Sequence, residues 1–131
     1  MSDENEAAIA GARAALDGFM AAFNREDADA IRSTWFHFPH VRFHSGKVTV
    51  MAGPEDYHNL VWRRGGQSAG WARTEWDYRD AIDAGLDKVH FRVQFTRFRT
   101  DGSAIGSYRS LYIVTLKDGR WAITARSSWA E

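Results

Sequence analysis

Three histidines and one aspartate are the residues of this 131-residue chain whose types best suit chemistry. His37, His40 and His44 lie close together in the sequence, which raises the question of a metal site. On an extended strand only His40 and His44 share a face, and the cationic Arg42 between them disfavours a divalent ion. The chain also has no cysteine. We therefore predict no metal and no cofactor, with a site on His40 and His44 as the less favoured alternative.

His44 and Asp80 are the candidate acid–base residues. An imidazole has an unperturbed pKa of ~6.5, which suits proton transfer at neutral pH. Asp80 would stand beside Tyr78 on a mainly apolar sheet face, where desolvation would raise the pKa of its carboxyl group. If an arginine such as Arg97 or Arg42 reaches that carboxylate, the pair is structural instead.

Two Asp-Gly dipeptides position the strands that must carry these groups. Asp101-Gly102 and Asp118-Gly119 each lie between runs of alternating apolar and polar residues, a strong signal for a hairpin. Counted separately as two-residue turns, both place the same residues of the middle strand on one face. The predicted pairs are Phe95–Tyr108, Phe91–Tyr112, Val89–Val114, Val114–Ile123, Leu116–Trp121 and Tyr108–Trp129.

The order of elements predicts a single α+β domain over residues 1–131, with residues 1–3 disordered. Three helices in the N-terminal half would pack on the concave face of a curved, mainly antiparallel sheet, giving a cone-shaped barrel. The predicted helices cover residues 4–23, 28–34 and 53–66, and the predicted strands cover 41–44, 47–51, 71–83, 88–100, 103–117 and 120–129.

The concave face is predicted to become aromatic and polar away from the Asp118-Gly119 turn, which is typical of a small-ligand site. A two-residue turn near Gly85 would bring Asp80 onto this face, whereas a three-residue loop would turn it away. The alternative is that these polar groups satisfy one another in a packed interior. The predicted ligand-binding residues are Tyr57, Trp62, Trp76, Tyr78, Tyr108, Ser127 and Trp129.

The composition excludes several other classes. Lys and Arg together number 17, as do Asp and Glu, so there is no net charge to attract a nucleic acid. The N-terminus lacks the basic start and apolar core of a secretory signal, and no apolar run approaches ~20 residues. We therefore expect a cytoplasmic protein with neither a nucleic-acid nor a membrane partner.

The element order and the terminal segment 109–129 carry a family resemblance, the segment reading RSLYIVTLKDGRWAITARSSW. The chain resembles the nuclear transport factor two-like superfamily, which includes SnoaL-like cyclases, ketosteroid isomerase and scytalone dehydratase. The resemblance implies a cone enclosing one cavity, usually in a homodimer, in enzymes and in non-catalytic modules alike. The general-base aspartate of ketosteroid isomerase-like members falls on His44 or Ser45 here, and neither is a carboxylate.

We therefore predict a SnoaL-like protein, a homodimer, that binds a small apolar or aromatic molecule. If it is an enzyme, it would be a cofactor-independent isomerase, dehydratase or cyclase in which His44 or Asp80 acts on the substrate. The alternative is a non-catalytic dimerisation module whose cavity is filled by its own aromatic residues. Its working surface would be the opposite sheet face around Leu111 and Ile113, framed by charged residues.

Overall fold

Six strands form one curved, mainly antiparallel sheet, and the N-terminal helix covers one face of it. The computed structural model describes residues 3–57 and 70–129. The strands lie in the order β2-β1-β6-β5-β4-β3, and β1 runs parallel to β6 while the other neighbours are antiparallel. The elements are α1 (Asp3–Asn24), α2 (Ala28–Ala30), β1 (Phe36–His44), β2 (Lys47–Met51), β3 (Trp71–Ala84), β4 (Lys88–Arg99), β5 (Ala104–Lys117) and β6 (Arg120–Ser128).

The apolar stripe of α1 forms the core with one face of the sheet, which we call the inner face; the opposite face is the outer face. Gly11 and Gly18 lie where α1 meets the rings of Trp121 and Trp35, and a Cβ at either glycine would collide with those rings. The absence of a side chain therefore lets the helix approach the sheet closely. The fully buried core residues include Ala12, Leu16, Ile31, Phe36, Val89, Phe91, Val93, Val114 and Ile123.

Asn24 ties the end of α1 to β3. Its side-chain amide donates to the backbone carbonyl of Thr74 over 2.8 Å, and its side-chain oxygen accepts from the backbone N–H of Thr74 over 2.8 Å. The two bonds satisfy both backbone groups of a strand residue that is buried. This contact fixes the position of the helix along the sheet.

The predicted helices are confirmed only in part. The predicted second helix is the single turn α2 followed by a π-helical turn over Ile31–Trp35. The predicted third helix begins as a single 3-10 turn at Pro54–Asp56, and its remainder lies outside the described residues. No helix in the described part of the chain is long and apolar enough to cross a membrane.

The predicted register is confirmed for most of the sheet, including Phe95–Tyr108, Phe91–Tyr112, Val89–Val114, Val114–Ile123 and Leu116–Trp121. The loop at Asp101-Gly102 was wrongly predicted as a two-residue turn, because Phe98 pairs with Ala104. A bulge at Ile105 then restores the predicted register, since Arg97 pairs with Gly106.

A second bulge overturns the predicted pairing of Tyr108 with Trp129. Val114 pairs with Ile123 but Ile113 pairs with Ala125, so Thr124 is an extra residue in β6. Because side chains alternate along a strand, one extra residue exchanges the two faces of everything beyond it. Arg126 and Ser128 therefore lie on the inner face, and Ser127 and Trp129 turn away from it.

Candidate functional site

The inner face changes in character along its strands. Near the Asp118-Gly119 turn it is aliphatic and fully buried, with Val89, Val114 and Ile123. Towards the opposite end it carries aromatic rings and guanidinium groups, which we call the arginine–aromatic cluster. The cluster consists of His40, Arg42, Tyr57, Trp76, Phe95, Arg97, Tyr108, Tyr112 and Arg126.

His40 and Arg126 form the best-defined pair in the cluster. The guanidinium Nε of Arg126 donates to Nε2 of His40 over 3.0 Å. Because an arginine nitrogen can only donate, Nε2 of His40 must accept, and the ring proton lies on Nδ1. That Nδ1 contacts the backbone carbonyl of Ile123 at 3.0 Å, so it donates there. The bonds fix one tautomer and use both ring nitrogens.

The surroundings of His40 hold it in the neutral form. The side chain is fully buried and stacks on Phe36, with ring centroids 4.0 Å apart. Burial, and then the charge of Arg126, lower the pKa of His40 to about 2. The guanidinium carbon of Arg126 lies 4.8 Å from the centroid of the same Phe36 ring. His40 therefore positions Arg126 and does not exchange protons near neutral pH.

Three arginines concentrate positive charge within the cluster. Burial, together with the charges of Arg126 and Arg97, lowers the pKa of Arg42 to about 10. Arg97 is only 5% exposed, and its guanidinium carbon lies 4.8 Å from the ring centroid of Tyr108. Like charges that interact with one another inside a protein favour the approach of an anion.

Trp76 forms the aromatic wall beside these arginines. Its ring stands edge-on to Phe95 and Tyr112, at centroid distances of 6.1 Å and 5.6 Å. Its indole Nε1 is buried and has no hydrogen-bond partner among the residues that the structure describes. A buried donor without a partner is rare in folded proteins and calls for an explanation.

Tyr57 completes the cluster next to Phe36. It is buried, its ring stands edge-on to Phe36 at 5.0 Å, and its burial raises the pKa of its phenol to about 12. The phenol is therefore protonated at neutral pH and can donate a hydrogen bond. Tyr57, Trp76 and Tyr108 are thus the predicted ligand-binding residues that the fold brings to the cluster.

Three other predicted residues meet elsewhere. His44, Ser127 and Trp129 line a surface pocket of about 310 Å³ between the β1–β2 turn and the end of β6. Trp129 is 77% exposed. Burial and the charge of Arg42 lower the pKa of His44. Its Nδ1 has no hydrogen-bond partner among the described residues, and its Nε2 lies 3.4 Å from Oγ1 of Thr49.

The predicted inner-face positions of Asp80 and Tyr78 are wrong. Ala84 pairs with Val89, which leaves Ala84 on the inner face as the predicted alternation requires. An extra residue of β3, Ile82, between Ala81 and Asp83 then exchanges the faces of Asp80 and Tyr78. Asp80 consequently faces Arg92 on the outer face, where the pair lies 3.3 Å apart with both side chains at least half exposed. Tyr78 pairs with Gln94 on that face too. Trp62 lies outside the described residues.

Sequence reasoning missed the role of the arginines. Strict alternation from Ile123 assigned Arg126 to the outer face, and only the bulge at Thr124 brings it inside. Arg97 follows Phe95 by two positions, which was a usable signal for the inner face.

Within the described part of the chain, no group of three or more His, Cys, Asp or Glu residues is arranged to hold a metal ion.

Comparison with known proteins agrees with this architecture. A family described as NTF2-like protein (DUF6841), where NTF2 is nuclear transport factor two, matches residues 5–130. None of the proteins with curated descriptions matches the chain in sequence.

Solved structures share the fold at low sequence identity. A Nostoc punctiforme protein of unknown function with a cystatin-like fold has a TM-score of 0.71 and 13% identity, covering 92% of this chain and 89% of its own. A ketosteroid isomerase-like protein from Erwinia carotovora atroseptica has a TM-score of 0.66 and 18% identity, covering 98% and 97%. LinA has a TM-score of 0.67 and 17% identity, covering 98% and 89%. Such identities show a common fold, and the family match over residues 5–130 establishes that the chain belongs to the NTF2-like family DUF6841.

Proposed function

We propose that the protein binds a small molecule with an aromatic or apolar body at the arginine–aromatic cluster. The observation that carries this proposal is Trp76, whose buried indole N–H has no partner among the described residues. A buried donor without an acceptor costs about 1–3 kcal/mol. A ligand acceptor next to Trp76 would recover that cost on binding.

The rings around Trp76 support an aromatic or apolar ligand. Phe95 and Tyr112 present edges and faces to the indole, and Tyr108 packs against Phe95 with centroids 5.8 Å apart. Ring surfaces set among a few polar groups are typical of small-ligand sites. The similarity to a structure described as ketosteroid isomerase-like is compatible with a small-molecule function for this fold.

Binding is the function that these contacts support best. His40 commits both ring nitrogens to Ile123 and Arg126, so it is not available as a general base. Asp80 is paired with Arg92 on the outer face. Neither residue can therefore carry a proton-transfer step at the cluster, and the predicted acid–base residue His44 lines the surface pocket with Ser127 and Trp129.

A thermal-shift screen of apolar and aromatic compounds, with a matched pair of tryptophan variants, tests the proposal. Trp76→Phe removes the indole N–H of the cluster but keeps an aromatic ring. Trp129→Phe makes the same change in the surface pocket of His44 and Ser127. A ligand at ~100 times its Kd stabilises the fold by roughly 2.7 kcal/mol.

We expect hits that Trp76→Phe weakens and Trp129→Phe leaves unchanged. Hits that respond only to Trp129→Phe would instead locate binding at the pocket of His44 and Ser127. A complete lack of stabilising compounds would contradict the proposal and favour the module with a self-filled interior.

A further inference from the structure

We propose that the ligand carries an acid group, and that Arg126 binds this group while the aromatic rings hold the rest of the molecule. The inference rests on the function proposed above and names the chemical class of its ligand: an aromatic or apolar carboxylic acid in its anionic form.

The first observation is the way in which Arg126 is held. Its Nε is committed to His40, and Phe36 lies beneath its guanidinium plane. Its two terminal Nη groups make no hydrogen bond or ion pair with any described residue. A guanidinium oriented in this way presents two parallel donors, which match the two oxygens of a carboxylate.

The second observation is the sign of the surrounding charge. Arg126 lowers the pKa values of His40, Arg42 and His44. The described groups that shift these three pKa values through their charge are arginines, tyrosines and one lysine. None of them is a carboxylate. An anion entering the cluster would therefore meet attraction and no described acidic side chain.

The third observation is where the acidic residues lie. Asp80 pairs with Arg92 on the outer face, and Asp77 accepts hydrogen bonds from Gln94 and Thr96 there. Asp17 on α1 pairs with Arg79. The carboxylates of these three aspartates therefore have other partners, and none of the described ion pairs brings a carboxylate to Arg126.

Matched acids and amides test the inference by isothermal titration calorimetry. The probes are the carboxylates of benzene, naphthalene and anthracene together with their neutral carboxamides, which keep ring and shape but lack the charge. Arg126→Met removes the guanidinium, and Arg92→Met on the outer face is the matched control.

We expect at least one carboxylate to bind the unmodified protein ~10-fold or more tightly than its amide. Arg126→Met should abolish this preference, while Arg92→Met should retain it. Affinity for the acid should also fall as salt is added, because the contact is ionic. Two of these measurements, the acid–amide comparison and the salt series, use the unmodified protein. They therefore test the inference even if Arg126→Met fails to fold.

Amides that bind as tightly as their acids would overturn the acid-group inference and leave the small-molecule function intact. A preference for acids that Arg92→Met removes and Arg126→Met retains would overturn it as well, because the anion would then bind on the outer face. Absence of binding by all six probes would overturn the inference, whereas the neutral compounds of the thermal-shift screen decide the proposed function separately.

Discussion

The side chain of Arg126 donates its Nε–H to Nε2 of His40 over 3.0 Å, within the inner face of the sheet. This bond joins a cation to a neutral, fully buried imidazole, so the histidine orients the guanidinium without neutralising it. The same imidazole is anchored to the carbonyl of Ile123 on the neighbouring strand. The pair therefore links the fold, its pH dependence and the proposed ligand site.

Stability is predicted to fall on acidification because of His40. Its pKa is about 2 in the folded protein and ~6.5 when unfolded, so below pH ~6.5 the unfolded chain binds a proton that the folded one does not. The free energy of unfolding should then decrease by up to about 1.4 kcal/mol per pH unit for this group. Burial also lowers the pKa of His37, which adds in the same direction. Urea denaturation between pH 7.5 and pH 5 measures the slope.

The variant His40→Gln tests the assignment, because glutamine can replace both hydrogen bonds but does not titrate. We expect a shallower pH slope than in the unmodified protein. Asn24→Ala, which is destabilised without loss of a histidine, should keep the original slope. An unchanged slope in His40→Gln would show that other groups control acid sensitivity.

Asn24→Ala is predicted to destabilise the protein by about 1–3 kcal/mol, because it leaves two backbone groups of the buried Thr74 without partners. Chemical denaturation with circular dichroism measures the loss. Ser33→Ala, at an exposed hydroxyl 3.2 Å from that of Thr34, should change stability by less than ~0.5 kcal/mol. Equal effects in the two variants would contradict the role given to Asn24.

Asp80→Asn is predicted to leave both folding and ligand binding nearly unchanged. The ion pair with Arg92 is exposed, and such pairs contribute between about 0 and 1 kcal/mol. Calorimetric titration with a ligand from the screen, alongside urea denaturation, checks both quantities. A loss of binding in a folded Asp80→Asn protein would show that Asp80 contacts the ligand and would contradict its assignment to the outer face.

Leu111→Asp is predicted to convert a homodimer into monomers. Leu111 and Ile113 are half-buried apolar residues of the outer face, flanked by Arg92 and Arg109, and we expect two copies to meet there. Size-exclusion chromatography with light scattering measures the mass. Leu116→Asp, at the far end of β5, is the control and should leave the mass unchanged. A mass that is the same for the unmodified protein and Leu111→Asp would count against this interface.

The sequence predicted the long strands well because hairpin register depends on local signals. The Asp118-Gly119 turn has positive φ at both residues, as expected of an Asp-Gly hairpin turn. Alternation then located Phe91, Tyr112 and Val114 correctly on the inner face. The same reasoning failed beyond Thr124, because an extra residue leaves no mark in a run of small and polar residues.

The site was harder to predict than the fold because extra residues in the strands exchange the two faces of the sheet. The bulge at Ile82 in β3 moved Asp80 and Tyr78 outwards, and the bulge at Thr124 in β6 moved Arg126 inwards. Each shift moves a residue between the outer and the inner face without altering the hydrophobic pattern that surrounds it. Trp76 was predicted correctly on the inner face because a second extra residue of β3, Asp77, reverses the exchange of faces caused by Ile82 and restores the pairing with Phe95.

The most direct test of ligand binding at the cluster is a two-dimensional ¹H–¹⁵N NMR titration with naphthalene-2-carboxylate. The six tryptophans give separate indole N–H signals, and the variants Trp76→Phe and Trp129→Phe assign two of them. We predict that the Trp76 signal shifts in a saturable way, since its unpartnered N–H lies in the proposed site, while the Trp129 signal stays in place. A saturable shift confined to Trp129, or no shift of Trp76 at millimolar ligand, would contradict the binding of an aromatic acid at the arginine–aromatic cluster.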